Sequence, residues 1–232
     1  MKFKYKKLII FVALGTMFLS FIILSMVPNG GTSETPPEEA EVKKDANKDI
    51  NTLVNNYFHA KLNVDMDAME DLVSDINQVD KNKLVAQQEY VEDYQNISCY
   101  VIANESKDAF RVYVYYDMKI KNINTLAPSL SGLYIRLGSD GDYRVYLSAL
   151  DEDEEEFIQS ADKNDTVVNL KKDTAEKLKA AIASDENFRQ FYQKIDKENA
   201  AAKTVTPSAK PNGAAKAPAA ATPAPATPAP KK

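Results

Sequence analysis

One histidine, one cysteine and twelve tyrosines are the residues of this 232-residue chain whose chemistry reaches beyond charge and packing. Histidine is the usual general base near neutral pH. His59, however, stands two positions after Tyr57, about 200° further around a helix, so it points away from the apolar stripe to which Tyr57 belongs. Dyads and triads built on histidine are unsupported. Cys99 shares strand parity with Ile97 and Val101 and reads as a small buried hydrophobe. As a single cysteine it excludes an intramolecular disulfide and a cysteine metal site. The acidic runs are no better. "DEDEEE" at 151–156 is a solvated first helical turn favoured by the helix dipole, and "DMDAMED" at 65–71 lacks the glycine and the later glutamate of a calcium loop. No glycine-rich phosphate loop is present. No catalytic residue, metal or cofactor is expected.

What remains is aromatic, hydrogen-bonding surface. Tyr100, Tyr113, Tyr115, Tyr134 and Tyr146 fall in strand patterns, a composition suited to contact with proteins or glycans. Asp117 and Lys119 share a strand face with Tyr113 and Tyr115. Because the opposite parity (Val112, Val114, Tyr116, Met118, Ile120) is wholly apolar, that polar face is expected to be the solvated outside. The residues expected to contact a ligand or partner are Tyr57, Tyr116, Lys119, Asn122, Thr125 and Tyr134. Asn122 and Thr125 lie in a polar stretch, 121–131, that interrupts the strand pattern before "LYI" resumes it at 133. Pro128 cannot donate to a ladder and holds its predecessor extended. The stretch is therefore read as a connection tied down by its Asn and Thr side chains.

The elements that must position these groups follow from periodicity. Ile50, Leu53, Val54, Tyr57, Phe58 and Leu62 recur at helical spacing up to a break at "NVD". Asp67 and Glu70 have the spacing of a capping box for a second helix with Met69, Leu72, Val73 and Ile76. A third helix is expected over 82–94, with Leu84, Gln87, Val91 and Tyr94 on one side. The period then becomes two: strands over 97–103 and 109–120 flank "NESKD", and strands over 133–137 and 143–150 flank "GSDGD", a turn of the Asp-Gly type. Asp151 and Glu154 again have capping-box spacing, with Phe157 and Ile158 behind them. A helix from 165 carries Val167, Leu170, Leu178, Ala181 and Ile182, and the last carries Phe188, Phe191, Tyr192 and Ile195. Helices, then a meander of strands, then helices give an α+β domain.

The flanks differ in kind. Residues 1–7 are basic, and residues 8–27 form a twenty-residue stretch without a charge, enough for a helix of about 30 Å. That is longer than the core of a cleaved signal, and the end, Ser25-Met26-Val27-Pro28, is a poor cleavage site. The expectation is a retained transmembrane anchor with its lysines in the cytoplasm and everything after it outside. Residues 28–44 read as a solvated linker, 45–199 as the folded domain, and 200–232, almost entirely Ala, Pro, Lys and Thr, as a disordered tail. Residues 45–199 hold 30 acids against 18 Lys and Arg, whereas the tail holds five lysines and no acid. Phosphate backbones repel such a body, so nucleic acid is not an expected partner.

"NYF" at 56–58, "YVEDYQNISCYV" at 90–101, "VYVYYDMKIKNINTLAP" at 112–128 and "LYI" at 133–135 together resemble membrane-anchored extracytoplasmic proteins of Gram-positive bacteria within the nuclear transport factor two-like superfamily. The resemblance covers residues 46–150, more loosely to 195. It implies a cone in which three helices pack against a bent antiparallel sheet that curls around the first long helix, with C-terminal helices beyond. The superfamily includes dehydratases, isomerases, cyclases and binding adaptors, so fold alone decides nothing about activity. The expectation is a non-catalytic binding or assembly module of the cell envelope; a small-molecule dehydratase or isomerase using the cone is the alternative. Its expected partners are the membrane, crossed once, a cell-wall or envelope protein, and a second copy in a homodimer.

Overall fold

The computed structural model describes residues 40–204; the expected anchor and most of the linker and tail lie outside the described residues. Among the described residues no helix is long and apolar enough to cross a membrane. The chain is α+β: three helices, a five-stranded antiparallel sheet whose neighbours follow chain order, and three further helices.

Helix α1 (Lys48–Asn63) starts where Asn47 accepts hydrogen bonds from the backbone N–H groups of Asp49 and Ile50. It ends at the expected break. Val64 adopts φ 56°, and the amides of Val64 and Asp65 return to the carbonyls of Lys61 and Ala60. This is a Schellman ending with a β-branched residue where glycine is usual. Helix α2 (Met66–Leu72) is capped by Asp65, which accepts from Ala68 N, so the box read at Asp67 and Glu70 is replaced by a cap two residues earlier. Helix α3 (Lys81–Gln88) is capped by Asp80.

The sheet departs from the sequence reading in three places. Strand β2 runs from Val91 to Asn104, so the expected third helix loses its last third to the sheet. The reason lies in two register shifts against β3 (Ala109–Ile120), between Val91 and Asp93 and between Gln95 and Ser98. Each adds a residue on β2, so its inward positions fall at 91, 94, 99 and 101, and the early spacing of three imitates a helix. Strand β4 (Ala127–Leu137) starts six residues before the expected 133, with Pro128 opposite Asp117. Pro128 is tolerated because β5 (Tyr143–Val145) pairs only with positions 135–137, leaving the far edge of β4 unpaired there. The connection is thus 121–126 alone, with Asn122 at φ 64°. Strand β5 stops at Val145, short of the expected 150, where a parallel bridge to Val73 takes over.

At the other edge, β1 (Lys43–Lys44) pairs with Val101 and Tyr100, so the last residues of the segment read as linker belong to the fold. Asp45 fastens them: its amide donates to Cys99 O at 2.7 Å and its carboxylate accepts from Cys99 N at 2.7 Å. Asn164 donates to Ala40 O.

Helix α4 (Glu152–Lys163) begins with the expected capping box of Asp151 and Glu154. Helix α5 (Asp165–Ser184) follows Asn164, and α6 (Glu186–Thr204) follows Asp185. Two apolar layers result. The inner face of the sheet buries Val112, Val114, Tyr116, Met118 and Ile120 against Ile50, Leu53, Val54 and Phe58 of α1, and this layer continues into Leu178, Phe188 and Ile195 of α5 and α6. The outer face, expected to be solvated, is covered. Tyr113 is 1% exposed beneath Ala161 and Val167, with Phe157 and Leu170 beside them. The physical reason is that α4 and α5 present apolar stripes of their own, which need a partner face.

Candidate functional site

The six residues expected to meet a ligand or partner fall in three separate places. Tyr57 and Tyr116 belong to the inner layer. Tyr116 is buried, its hydroxyl 3.2 Å from Ser131 Oγ, and its ring meets Phe58 edge-on at 4.8 Å between centroids. Tyr94 completes a closed triangle at 5.1 Å from Phe58 and 5.4 Å from Tyr116, its hydroxyl accepting from Gln87 Nε2 at 2.7 Å. Edge-to-face pairs of this kind each add about 0.5–1.5 kcal/mol beyond burial. Half-buried Tyr57 stacks edge-on against Phe58 at 6.0 Å. Burial pushes the hydroxyls of Tyr57, Tyr94 and Tyr116 well above their ordinary pKa, so all three are neutral.

Lys119, Asn122 and Thr125 belong to the connection after β3, where the side chains hold the loop. Lys119 Nζ donates to Ile123 O at 2.5 Å, Ile123 is buried, and Thr125 Oγ1 donates to Asp185 Oδ2 at 2.9 Å. The other oxygen of Asp185 accepts from Phe188 N at 3.1 Å and caps α6. One carboxylate therefore ties the loop to the helix, and only Asn122 is exposed and free of this duty. The backbone hydrogen bond from Phe188, then that from the Thr125 hydroxyl, hold the Asp185 carboxyl below its usual range. Asp185→Ala is expected to lower the melting midpoint by about 2–4 °C at pH 7. Since the folded pKa is the lower one, the difference from wild type persists above about pH 4 and fades as pH falls through the folded value. Thermal melts at pH 7 and pH 3 check both parts.

Tyr134 belongs to the outer face, in an arrangement that sequence reasoning missed. Helix α4 sends down two carboxylates eight residues apart, and each meets a Tyr and an Arg from the sheet. Glu154, 1% exposed, accepts from Tyr134 Oη at 3.3 Å and pairs with Arg136 Nη1 at 3.1 Å, while its second oxygen accepts from Asp151 N at 3.0 Å. Asp162 accepts from Tyr113 Oη at 2.5 Å and from Arg111 Nη2 at 3.2 Å, with Lys171 Nζ at 3.5 Å. Arg111 and Tyr134 are cross-strand partners, so the two clamps adjoin. Gly132, opposite Tyr113, leaves room for the Arg111 guanidinium: a Cβ there would stand 2.5 Å from Arg111 Nη2. Burial pushes the Asp162 carboxyl up, but the Tyr113 hydrogen bond and the charges of Arg111 and Lys171 outweigh it and hold it low. Burial also pulls the Lys171 ammonium down against the pull of Asp162. The signal was present in the sequence as Arg111-x-Tyr113 and Tyr134-x-Arg136, matching pairs on one strand face.

The remaining expectations from chemistry are simply located. Cys99 is buried, its thiol pushed up to about 12 by burial and by Asp45. His59 is exposed beside Asn63. Among the described residues there is no group of three or more His, Cys, Asp or Glu side chains that could hold a metal ion. One group does stand apart: Lys61, in the last turn of α1, with its ammonium over the rings of Phe58 and Tyr94.

Comparison of the chain with family models, with curated proteins and with solved structures returns no match in any of the three.

Proposed function

We propose that the chain is a non-catalytic binding or assembly module of the cell envelope, held by a single N-terminal span and displaying its acidic α+β body outside the membrane. The observation that carries this reading is how the polar groups are used. The inner layer is closed by the Phe58, Tyr94 and Tyr116 rings, and Arg111 and Arg136 of the sheet's outer face are spent on fastening α4. That leaves the outer surface of the body, with its excess of acids, as the part free to act. A homodimer through the outer sheet face would compete with α4 and α5, so self-association would need another surface.

The likeness to nuclear transport factor two-like proteins stays part of the proposal. What supports it is the combination of three leading helices, an antiparallel meander with two bulges in β2, and α1 packed along the inner face. Bulges increase twist and bend a strand, as a cone requires.

The test uses cells whose outer wall has been removed. Protease added from outside is expected to destroy the body and leave a membrane-bound fragment containing residues 8–27. A body protected until the membrane is opened, or released whole into the medium, overturns the reading. Purified full-length chain in detergent then reports its mass and any thermal stabilisation by soluble cell-wall fragments.

A further inference from the structure

The hairpin between β4 and β5 contains an Asp-Gly step, Asp140-Gly141, where the chain is open to attack on itself: glycine has no Cβ to shield its nitrogen from the preceding carboxyl. Both residues are exposed, and among the described residues nothing lies within 4 Å of where a Cβ on Gly141 would stand. The carboxylate is nevertheless held. Arg144 Nη1 donates to Asp140 Oδ1 at 2.8 Å and Nη2 donates to Oδ2 at 2.6 Å, a bidentate fork. The Asp142 amide donates to Oδ1 at 3.3 Å, and the Gly141 amide is turned to Gly138 O at 3.0 Å. The fork lies directly over Gly138, where a Cβ would stand 2.6 Å from both Arg144 Nη1 and Asp140 Oδ1.

We propose that Asp140-Gly141 is a site of spontaneous isomerisation and that the clamp of Arg144 over Gly138 keeps it closed. In the step, the Gly141 nitrogen adds to Cγ of the un-ionised Asp140 carboxyl. The carboxyl C–OH bond breaks, and its hydroxyl leaves with the amide proton as water, closing a five-membered succinimide. Water then adds at either ring carbonyl; opening at the Asp140 main-chain carbonyl leaves the peptide running through Cγ, an isoaspartyl link. One water leaves and one enters, so the mass is unchanged and no oxidant or reductant is needed. The site stands independently of the envelope-binding reading.

Such a link adds a methylene to a loop whose length sets the register of the hairpin. Strand β5 has three residues, yet Val145 is 1% exposed, bridges Val73 and accepts from Ser74 N at 2.9 Å, while Tyr143 meets Phe110 edge-on at 5.5 Å. Damage in an exposed turn therefore reaches the core through β5. Attack needs the un-ionised carboxyl, because a carboxylate offers no hydroxyl to leave. The Arg144 hydrogen bonds, and after them the Asp142 amide, hold the Asp140 carboxyl down to about 2. The other charged groups facing the fork are Asp142 in the loop and Asp71 of α2, both acting on Arg144. At pH 5.5 the un-ionised fraction of such a carboxyl is on the order of fiftyfold below that of an ordinary aspartate, and salt screening of an exposed pair reduces this toward tenfold.

The experiment ages full-length chain in detergent near pH 5.5 and maps the loop peptide, whose isoaspartyl form elutes separately at unchanged mass and resists an aspartate-specific protease. Folded wild type is expected to convert about tenfold or more slowly than the same chain unfolded in urea. Arg144→Gln, with folding reported by circular dichroism, is expected to convert about tenfold faster than folded wild type. Gly138→Ala keeps every charge but pushes the fork apart, and is expected to shift the rate in the same direction. Conversion of folded wild type at the unfolded rate, or a folded variant of either kind that converts no faster than wild type, overturns the proposal.

Discussion

Glu154→Ala is expected to cost about 3–4 kcal/mol of folding stability, because it removes a buried carboxylate that three donors share. Tyr134, Arg136 and the amide of Asp151 all point at Glu154, which is 1% exposed. Truncation leaves a buried hydroxyl and a guanidinium without their acceptor and also breaks the capping box of α4. The loss stays below the upper end for buried pairs because the Arg136 side chain is 36% exposed and can turn toward water. Glu154→Gln keeps the shape but has one accepting oxygen where the carboxylate has two, so it gives up either the Asp151 amide or the Tyr134 and Arg136 donors along with the charge, and is expected to cost about 2 kcal/mol. Urea denaturation of the two variants separates the contributions. An alanine variant within about 0.5 kcal/mol of wild type would show that α4 is held without Glu154, since that is the range of an inconsequential surface change.

The same clamps explain why part of the architecture was legible in the sequence and part was not. Periodicity found α1, β3, the capping box of α4 and the stripes of α5 and α6, since in each of these a single face is buried and the spacing is regular. It failed on β2, where the bulge between Val91 and Asp93 puts inward-facing Val91 and Tyr94 three apart and so writes a helical spacing into a strand. It failed at Pro128 for a related reason: proline signals an interruption, yet the unpaired edge of β4 accepts it. The larger error concerned the outer face of β3. Alternation told Tyr113 from Val112 and Val114, but it could not say that α4 and α5 would cover that face, because the covering depends on Asp162, some fifty residues away. A tyrosine, with an apolar body and a polar tip, suits a wet face and a clamped one equally.

The candidate site was less legible than the fold. Asn122 and Thr125 look like ligand-facing residues because a polar loop after a long strand could be either a lip or a tether. The side chain that decides between them, Asp185, lies sixty residues further on. Lys61 was overlooked because a lysine in the last turn of a helix is the ordinary complement of the dipole. What distinguishes it is the pair of rings beneath its ammonium, and Tyr94 reaches that position only through the bulged path of β2.

Phe58→Ala is expected to be the most damaging single truncation of the inner layer, at about 3–5 kcal/mol. Phe58 is 2% exposed and lies in edge contact with Tyr57, Tyr94 and Tyr116, so its loss removes three ring pairs as well as buried area. It also removes one of the two rings under Lys61. The remaining residues cannot close the gap, since Tyr94 is held by Gln87 and Tyr116 by Ser131. An apolar cavity of that kind stays dry and accepts a small aromatic guest. Benzene or a similar ligand is therefore expected to restore stability to the variant, by about 1.4 kcal/mol at tenfold over its Kd, while leaving wild type unmoved. The comparison bears directly on function, because the alternative reading as a dehydratase or isomerase requires standing room around Tyr57 and Tyr116. Stabilisation of wild type equal to that of the variant would mean that the space already exists, and the inner layer would then have to be treated as a ligand chamber.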